Sequence, residues 1–201
     1  MSKKLNSGIW TWKALKKYKY LGEIINRNKT NTDQINETRK KAEATLQTIL
    51  TIAGDPSFRN IEMETIWKLV ETCIIPVITY GGETRELNKK DNDTYNRILD
   101  NILKRILLTP TTTPREALYM ELGMIDIENT VAKNRINMHN RLERTKNKLI
   151  DQVMNINHEK SWINVTKNKE KDLNIEDINT FSKGKAKSMT KEAIIKKLRM
   201  T

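Results

Sequence analysis

Lys133, Asn137, Arg141, Arg144 and Lys148 are spaced by 4, 4, 3 and 4 residues. On an α-helix this spacing aligns them along one face. A helix carrying such a stripe can dock its apolar side on a bundle and follow a duplex phosphate backbone with the other. Arg97, Asn101 and Lys104 repeat the pattern over a shorter stretch. The same spacing also suits a solvated helix face with no ligand.

Other chemistries lack their residues. Cys73 is the single cysteine, and His139 and His158 are the only histidines. A Cys/His zinc site cannot be assembled from these, and no internal disulfide can form. Two-metal phosphoryl transfer needs clustered carboxylates. Asp91 and Asp93 fall at a helix start and Asp100 within a helix, so the sequence offers no such cluster. No nucleophile-elbow or phosphate-loop pattern surrounds the serines, threonines or lysines. No catalytic residue, metal or cofactor is therefore expected. Cys73 reads as a small buried hydrophobe, Trp67 as core, and neither histidine has an acid or cysteine placed beside it by sequence. Trp10 and Trp12 suit hairpin packing or, alternatively, stacking on a base.

The charge balance points the same way as the stripes. Lysine and arginine total 37 against 25 acidic residues, a net charge of +12. The isoelectric point is near 9.7. An excess of this size suits an anionic partner, most often nucleic acid. Abundant Lys, Asn and Ile, with lysine outnumbering arginine, also fit drift in an A/T-rich genome. The opening MSKKLNSG leads into no apolar leader core, and the most apolar stretch, Ile66 to Tyr80, contains Lys68 and Glu71. The expectation is a soluble intracellular chain, in nucleus or cytoplasm, with no membrane partner.

The elements that must position these residues are mostly α. Ile9 to Asn26 reads as β, with Gly22 marking a bulge or a close backbone approach. Asn31 and Gln34 resemble a capping box, followed by Ile35, Ala42, Leu46, Ile49 and Ala53 on one helix face, stopped by Gly54 and Pro56. A helix over about Asn60 to Tyr80 is apolar nearly all round, which predicts the buried centre of a bundle. Pro76 should kink it or end it near Ile75. Gly81 and Gly82 close that segment. A third helix opens at Asn88 with Tyr95, Ile98, Leu99, Ile102, Leu103 and Ile106 inward. Thr113, Pro114 and Glu116 predict an N-cap, N1 and N3 of a short helix ending at Gly123. The fifth runs from about Ile127 to Ile156, with Asp126 as its N-cap. Val131, Met138, Leu142, Leu149, Val153 and Ile156 form its inner face. NVTKNKEKD reads as linker, and Ile175 to Phe181 and Thr190 to Leu198 as short appended helices. The boundaries expected are 1–28, 29–156 and 157–201.

The order of several short motifs adds a family. YKYLGEIIN, Tyr18 to Asn26, resembles the segment after the polymerase palm in non-LTR (LINE-type) retrotransposon reverse transcriptases, where it forms the primer grip. TRKKAEATL, Thr38 to Leu46, resembles the first thumb helix of that family. IPVITYGGETREL, Ile75 to Leu87, is similar to its pattern of proline, apolar run, Tyr-Gly and Glu-Thr-Trp, with Arg85 where the family usually has Trp. Asp172 to Ile194 resembles the C-terminal tail of some members. The resemblance implies a thumb-like helical bundle with a short N-terminal hairpin and a small C-terminal helical appendage. It implies that Tyr20 and Leu21 pack the hairpin, that Gly22 admits a sugar-phosphate strand, and that Lys17 and Lys19 offer charge to phosphate. A plain amphipathic strand with solvated lysines would carry the same residues.

The family is an RNA-directed DNA polymerase, but its Tyr-x-Asp-Asp motif has no counterpart here. The function expected is thus a nucleic-acid-binding thumb and connection region, without catalysis on its own, that holds an RNA or DNA duplex or a hybrid. A palm-containing reverse transcriptase chain is then a possible partner, as in a split polymerase. A retroelement-derived helical protein-interaction module is the alternative.

Overall fold

The computed structural model describes residues 16–28, 30–53, 62–145, 147–154, 162–173 and 183–200. The stretch KYKYLGEIIN is a complete hairpin in itself. Strand β1 (Lys17–Tyr20) pairs antiparallel with β2 (Glu23–Asn26), with Tyr20 opposite Glu23. Leu21 and Gly22 form the turn, at φ 46° and 85°. Two central residues with positive φ define the turn whose twist matches a two-residue hairpin. Gly22 therefore makes the turn and is not a bulge inside a strand. The expected strand residues Ile9, Trp10 and Trp12 lie outside the described residues.

Helix α1 (Thr32–Ala53) buries Ile35, Ala42, Leu46 and Ile49, the face its period predicts. The expected capping box is not made. Asn31 Nδ2 instead donates to Glu86 O at 3.0 Å and Asp91 Oδ2 at 2.8 Å, and Gln34 Oε1 accepts from Ile24 N–H at 2.9 Å. Both side chains bind distant elements where the sequence suggested a local partner. Gly54 and Pro56, the expected stop, lie outside the described residues.

The next helix continues through Pro76. It runs as α2 (Met63–Leu69), a π-helical turn (Val70–Ile74) and α3 (Ile75–Thr79). Proline lacks an N–H, and its ring would strike the carbonyl four residues back. A wider turn just before Pro76 accommodates both demands, so the chain neither ends nor breaks there. Ile66, Val70, Ile74 and Ile78 are buried, while Trp67, Cys73, Ile75 and Val77 are half-buried. The expected centre of the bundle is thus a flank, and Trp67 and Cys73 sit at its edge.

The centre is α4 (Lys89–Ile106), which packs on α1, α3, α5 and α6. Tyr95, Ile98, Leu99, Ile102, Leu103 and Ile106 are all buried on it. Asn88 caps it: its side chain accepts from Asp91 N–H, and Asp91 Oδ2 accepts from Asn88 N–H. α5 (Arg115–Leu122) starts one residue later than the motif suggests. Pro114, not Thr113, is its cap residue, and Gly123 ends it as expected.

Asp126 caps α6 (Ile127–Glu143), accepting from Asn129 N–H at 2.7 Å. The single long helix to Ile156 is not formed. Thr145 Oγ1 donates back to Arg141 O, and Asn147 Oδ1 accepts from Leu149 N–H, starting α7 (Lys148–Met154) afresh. Thr and Asn offer the backbone local partners of this kind, which break helices mid-run. The inner face is also rotated from the expected one. Ile127, Thr130, Val131, Ile136, His139 and Asn140 are buried, Met138 and Leu142 are half-buried, and Leu149 is 71% exposed. The expected inward positions of Val153 and Ile156 lie outside the described side chains.

α6 carries two contacts at once: α3 and α4 on one side, α8 (Trp162–Asp172) and α9 (Lys183–Met200) on the other. That arrangement spreads its buried positions around the axis. The expected linker NVTKNKEKD is helical, with Thr166 buried within it and Ile163 and Leu173 buried at its two ends. Ile136, Leu173 and Ile194 form a second, smaller cluster. The pattern expected over Thr190 to Leu198 lies within the longer α9, and the one over Ile175 to Phe181 falls outside the described residues. The chain is mostly α with a short hairpin, as its period indicates. Among the described residues, no helix is long and apolar enough to cross a membrane.

Leu99→Ala should cost about 2–5 kcal/mol, because α4 is enclosed on several sides. Leu149→Ala should stay within about 0.5 kcal/mol. Denaturant unfolding of both variants checks which helix face forms the core.

Candidate nucleic-acid interface

The hairpin has one anchored side and one open side. On the anchored side, Lys17 Nζ lies 2.5 Å from Asp33 Oδ1, and Lys19 Nζ 3.1 Å from Glu37 Oε1. These ion pairs set β1 along α1. Lys17 and Lys19 are thus engaged with carboxylates, where the family pattern implies phosphate. The Lys17 and Lys19 ammonium groups, donating to Asp33 and Glu37, hold both carboxyls below their usual values.

The turn is held from the other direction. Tyr80 Oη donates to Leu21 O at 2.6 Å. A Cβ at Gly22 would sit 3.5 Å from the Tyr80 ring. The close approach at Gly22 is therefore to an aromatic side chain of this chain, where the family pattern implies a sugar-phosphate strand. Tyr20 and Leu21 do not pack the hairpin down either. Tyr20 is 55% exposed and Leu21 73%.

Arg85 takes up a structural position. Its Nη2 donates to Glu23 Oε2 at 3.1 Å and to Ile24 O at 3.3 Å, with only 11% of the side chain exposed. The guanidinium at position 85 thus has a carboxylate to meet it. Gly81 makes room for that carboxylate. At φ 70°, a Cβ there would fall 1.3 Å from Glu23 Oε1. Arg135, which the stripe reading passes over, completes the anchor from α6. It donates to Glu83 O, Gly82 O and Arg85 O, and burial lowers its pKa. Nothing in the spacing of the α6 cations separates Arg135 from its neighbours; only the fold of residues 80–87 against α6 selects it.

The open side carries Tyr18, Tyr20 and Ile25, exposed by 54–55%. Tyr18 and Tyr20 alternate on β1 and so share a face, and Tyr18 stands opposite Ile25. The two rings stack with centroids 6.5 Å apart and planes at 21°.

The helix stripes are only partly assembled. Arg141, Arg144 and Lys148 are exposed around the junction of α6 and α7. Lys133 is half-buried and faces α9, and burial together with nearby Lys191 lowers its pKa. It is not part of one surface with the other three. On α4, Arg97 is exposed, but Lys104 Nζ donates to Thr111 O at 2.7 Å and fastens the loop before α5.

The carboxylates and histidine also have structural places. Asp91 belongs to the Asn88 cap. Asp100, buried beneath α5, accepts from Arg115 Nε at 2.9 Å. Burial first, and then the Asp100 charge, pushes the Tyr119 phenol well above its usual value. His139 is buried, with Nδ1 3.3 Å from Glu170 Oε1 on α8 and Nε2 3.5 Å from Glu143 Oε1. It does have acidic neighbours, contrary to the sequence reading: Glu143 is one helical turn away, and Glu170 arrives by tertiary packing. Among the described residues, no group of three His, Cys, Asp or Glu is placed to hold a metal ion.

No family model matches the chain, and no curated protein or solved structure matches it significantly.

Two measurements check the anchor. Gly81→Ala should cost at least about 1–2 kcal/mol, the strain of a left-handed side-chain residue, because it also displaces Glu23 from Arg85. Gly82→Ser is not an equivalent control, since a Cβ at Gly82 meets Val131 Cγ2 at 2.9 Å. Acid should loosen the hairpin before the bundle. A carboxyl whose folded pKa is depressed contributes stability above its unfolded pKa, near 4, and loses it as pH falls through the lower folded value. Tyr18 and Tyr20 ring resonances should therefore shift toward free-chain positions below about pH 4, while Leu99 methyl resonances stay put.

Proposed function

We propose that this chain is a nucleic-acid-binding thumb region of a non-LTR retrotransposon reverse transcriptase. It holds a duplex or hybrid and does not polymerise alone, because the carboxylate motif of the palm is not in it. A palm-containing chain is the partner that would make its grip part of a polymerase. Such a role belongs in an intracellular compartment, nucleus or cytoplasm.

The observation that carries this reading is the two-sided hairpin. Its turn and inner face are tied to α1, Tyr80 and Arg85, so the outer face is held in a fixed place. That outer face offers two stacked, half-exposed tyrosine rings, while Lys17 and Lys19 of the same strand turn to the opposite, anchored face. Stacked, exposed aromatic rings suit a nucleic acid strand, since each base has a face to stack. The net charge of +12 and the order of the family-like motifs along the chain support the same reading.

Arg141, Arg144 and Lys148 give a second, separate basic surface. If all three touch phosphate, their joint replacement by alanine should flatten the slope of log affinity against log salt by about 2 to 3 on duplex DNA. Replacing the exposed Lys89, Lys167 and Lys171 should leave the slope nearly unchanged. Tyr18→Ala with Tyr20→Ala should weaken binding to a strand with an unpaired end by about 1–3 kcal/mol per stacked base, with the slope kept. Fluorescence titrations at several salt concentrations read all of these. Equal slope losses for the two triple variants would leave only diffuse attraction. A parent chain that does not bind near physiological salt would move the reading to the protein-interaction module.

A further inference from the structure

Lys133 does not join the stripe because it turns toward a pocket of about 280 Å³. Trp67, Ile75 and Pro76 form one wall, Met124 and Ile125 another, and α9 closes it with Lys191 and Ile195. Two lysines from different helices, Lys133 half-buried and Lys191 exposed, thus line one small space of mixed polarity. Neither Lys133 nor Lys191 has an ion-pair partner among the described residues. Glu71 also lines the pocket, but its influence on Lys133 is smaller than that of Lys191. Two cationic side chains and one carboxylate thus line the pocket. Two lysines reaching one space favour a doubly charged anion that both can contact.

We propose that this pocket binds a small organic phosphate monoester of nucleoside-monophosphate size. The phosphate would lie between Lys133 and Lys191, and the planar base would lie along Trp67 and Pro76. The volume is at the lower end for small-molecule sites, which suits one nucleotide and excludes a duplex. The apolar walls give the body of the ligand a surface that inorganic phosphate does not use. The site is separate from the hairpin face and from Arg141, and it stands whether or not the chain binds a duplex.

Calorimetric titration of the full chain with adenosine monophosphate at low salt tests it. One saturable site is expected, with adenosine not binding and inorganic phosphate binding more weakly than the nucleotide. Lys133→Gln and Lys191→Gln should each lower the affinity at least tenfold, as loss of one charge-assisted contact does. Neither should lower the thermal midpoint, because each relieves the like-charge contact. Trp67→Leu should weaken the nucleotide and leave inorganic phosphate unchanged. Lys40→Gln, on the exposed side of α1, should change nothing. A 5′-phosphorylated oligonucleotide that displaces the nucleotide would assign the site to strand ends, and one that does not would assign it to free nucleotides; both support a phosphate-monoester site. No saturable binding, equal losses at Lys40 and Lys133, or phosphate binding as tightly as the nucleotide would overturn the proposal.

Discussion

The Glu23–Arg85 ion pair is the contact on which the geometry of the hairpin end depends. It is mostly withdrawn from solvent, so either partner left alone would be a poorly solvated charge. Its surroundings are arranged around it. Gly81 leaves space for the carboxylate, Arg85 also donates to Ile24 O, and the carbonyl of Arg85 accepts in turn from Arg135 on α6. Through these bonds β2, residues 81–85 and α6 become one unit. Without it, a two-stranded sheet would have little to hold it, because isolated hairpins are marginal in water.

That unit fixes the position of the exposed tyrosines. An aromatic pair on a loose hairpin would adopt many positions, and ordering it on binding would oppose affinity. Here the inner face is fixed to α1 by Gln34, Asp33 and Glu37, and the turn is fixed by Tyr80. Arg85 fits the same logic. A guanidinium in a confined place needs a carboxylate, and Glu23 is the carboxylate that reaches it.

The helical part is organised by α4 and α6 in different ways. α4 gives one continuous apolar face to a single core, so its period and its burial agree. α6 stands between two clusters, one with α3 and α4 and one with α8 and α9. Its polar residues are consequently drawn inward: His139 meets Glu170, Arg135 meets three carbonyls, and Lys133 enters the pocket beside Lys191. A helix with two partners has no single hydrophobic stripe.

What the sequence by itself determined is the local chemistry. The 3.6-residue period of α1 and α4, the caps at Asn88 and Asp126 and the stop at Gly123 are all properties of neighbouring residues. Leu-Gly in the middle of KYKYLGEIIN is local too, and the hairpin it makes depends on two consecutive positive φ angles. Only the tertiary structure decided which polar side chains are engaged. Lys17, Lys19, Lys104 and Arg135 look like free cations in one dimension, yet each meets an oxygen brought from another part of the chain. The inner face of α6 and the helical state of NVTKNKEKD were decided in the same way. Helix packing sets both, because a side chain is buried by what comes to lie against it, and a sequence period reports only one partner at a time.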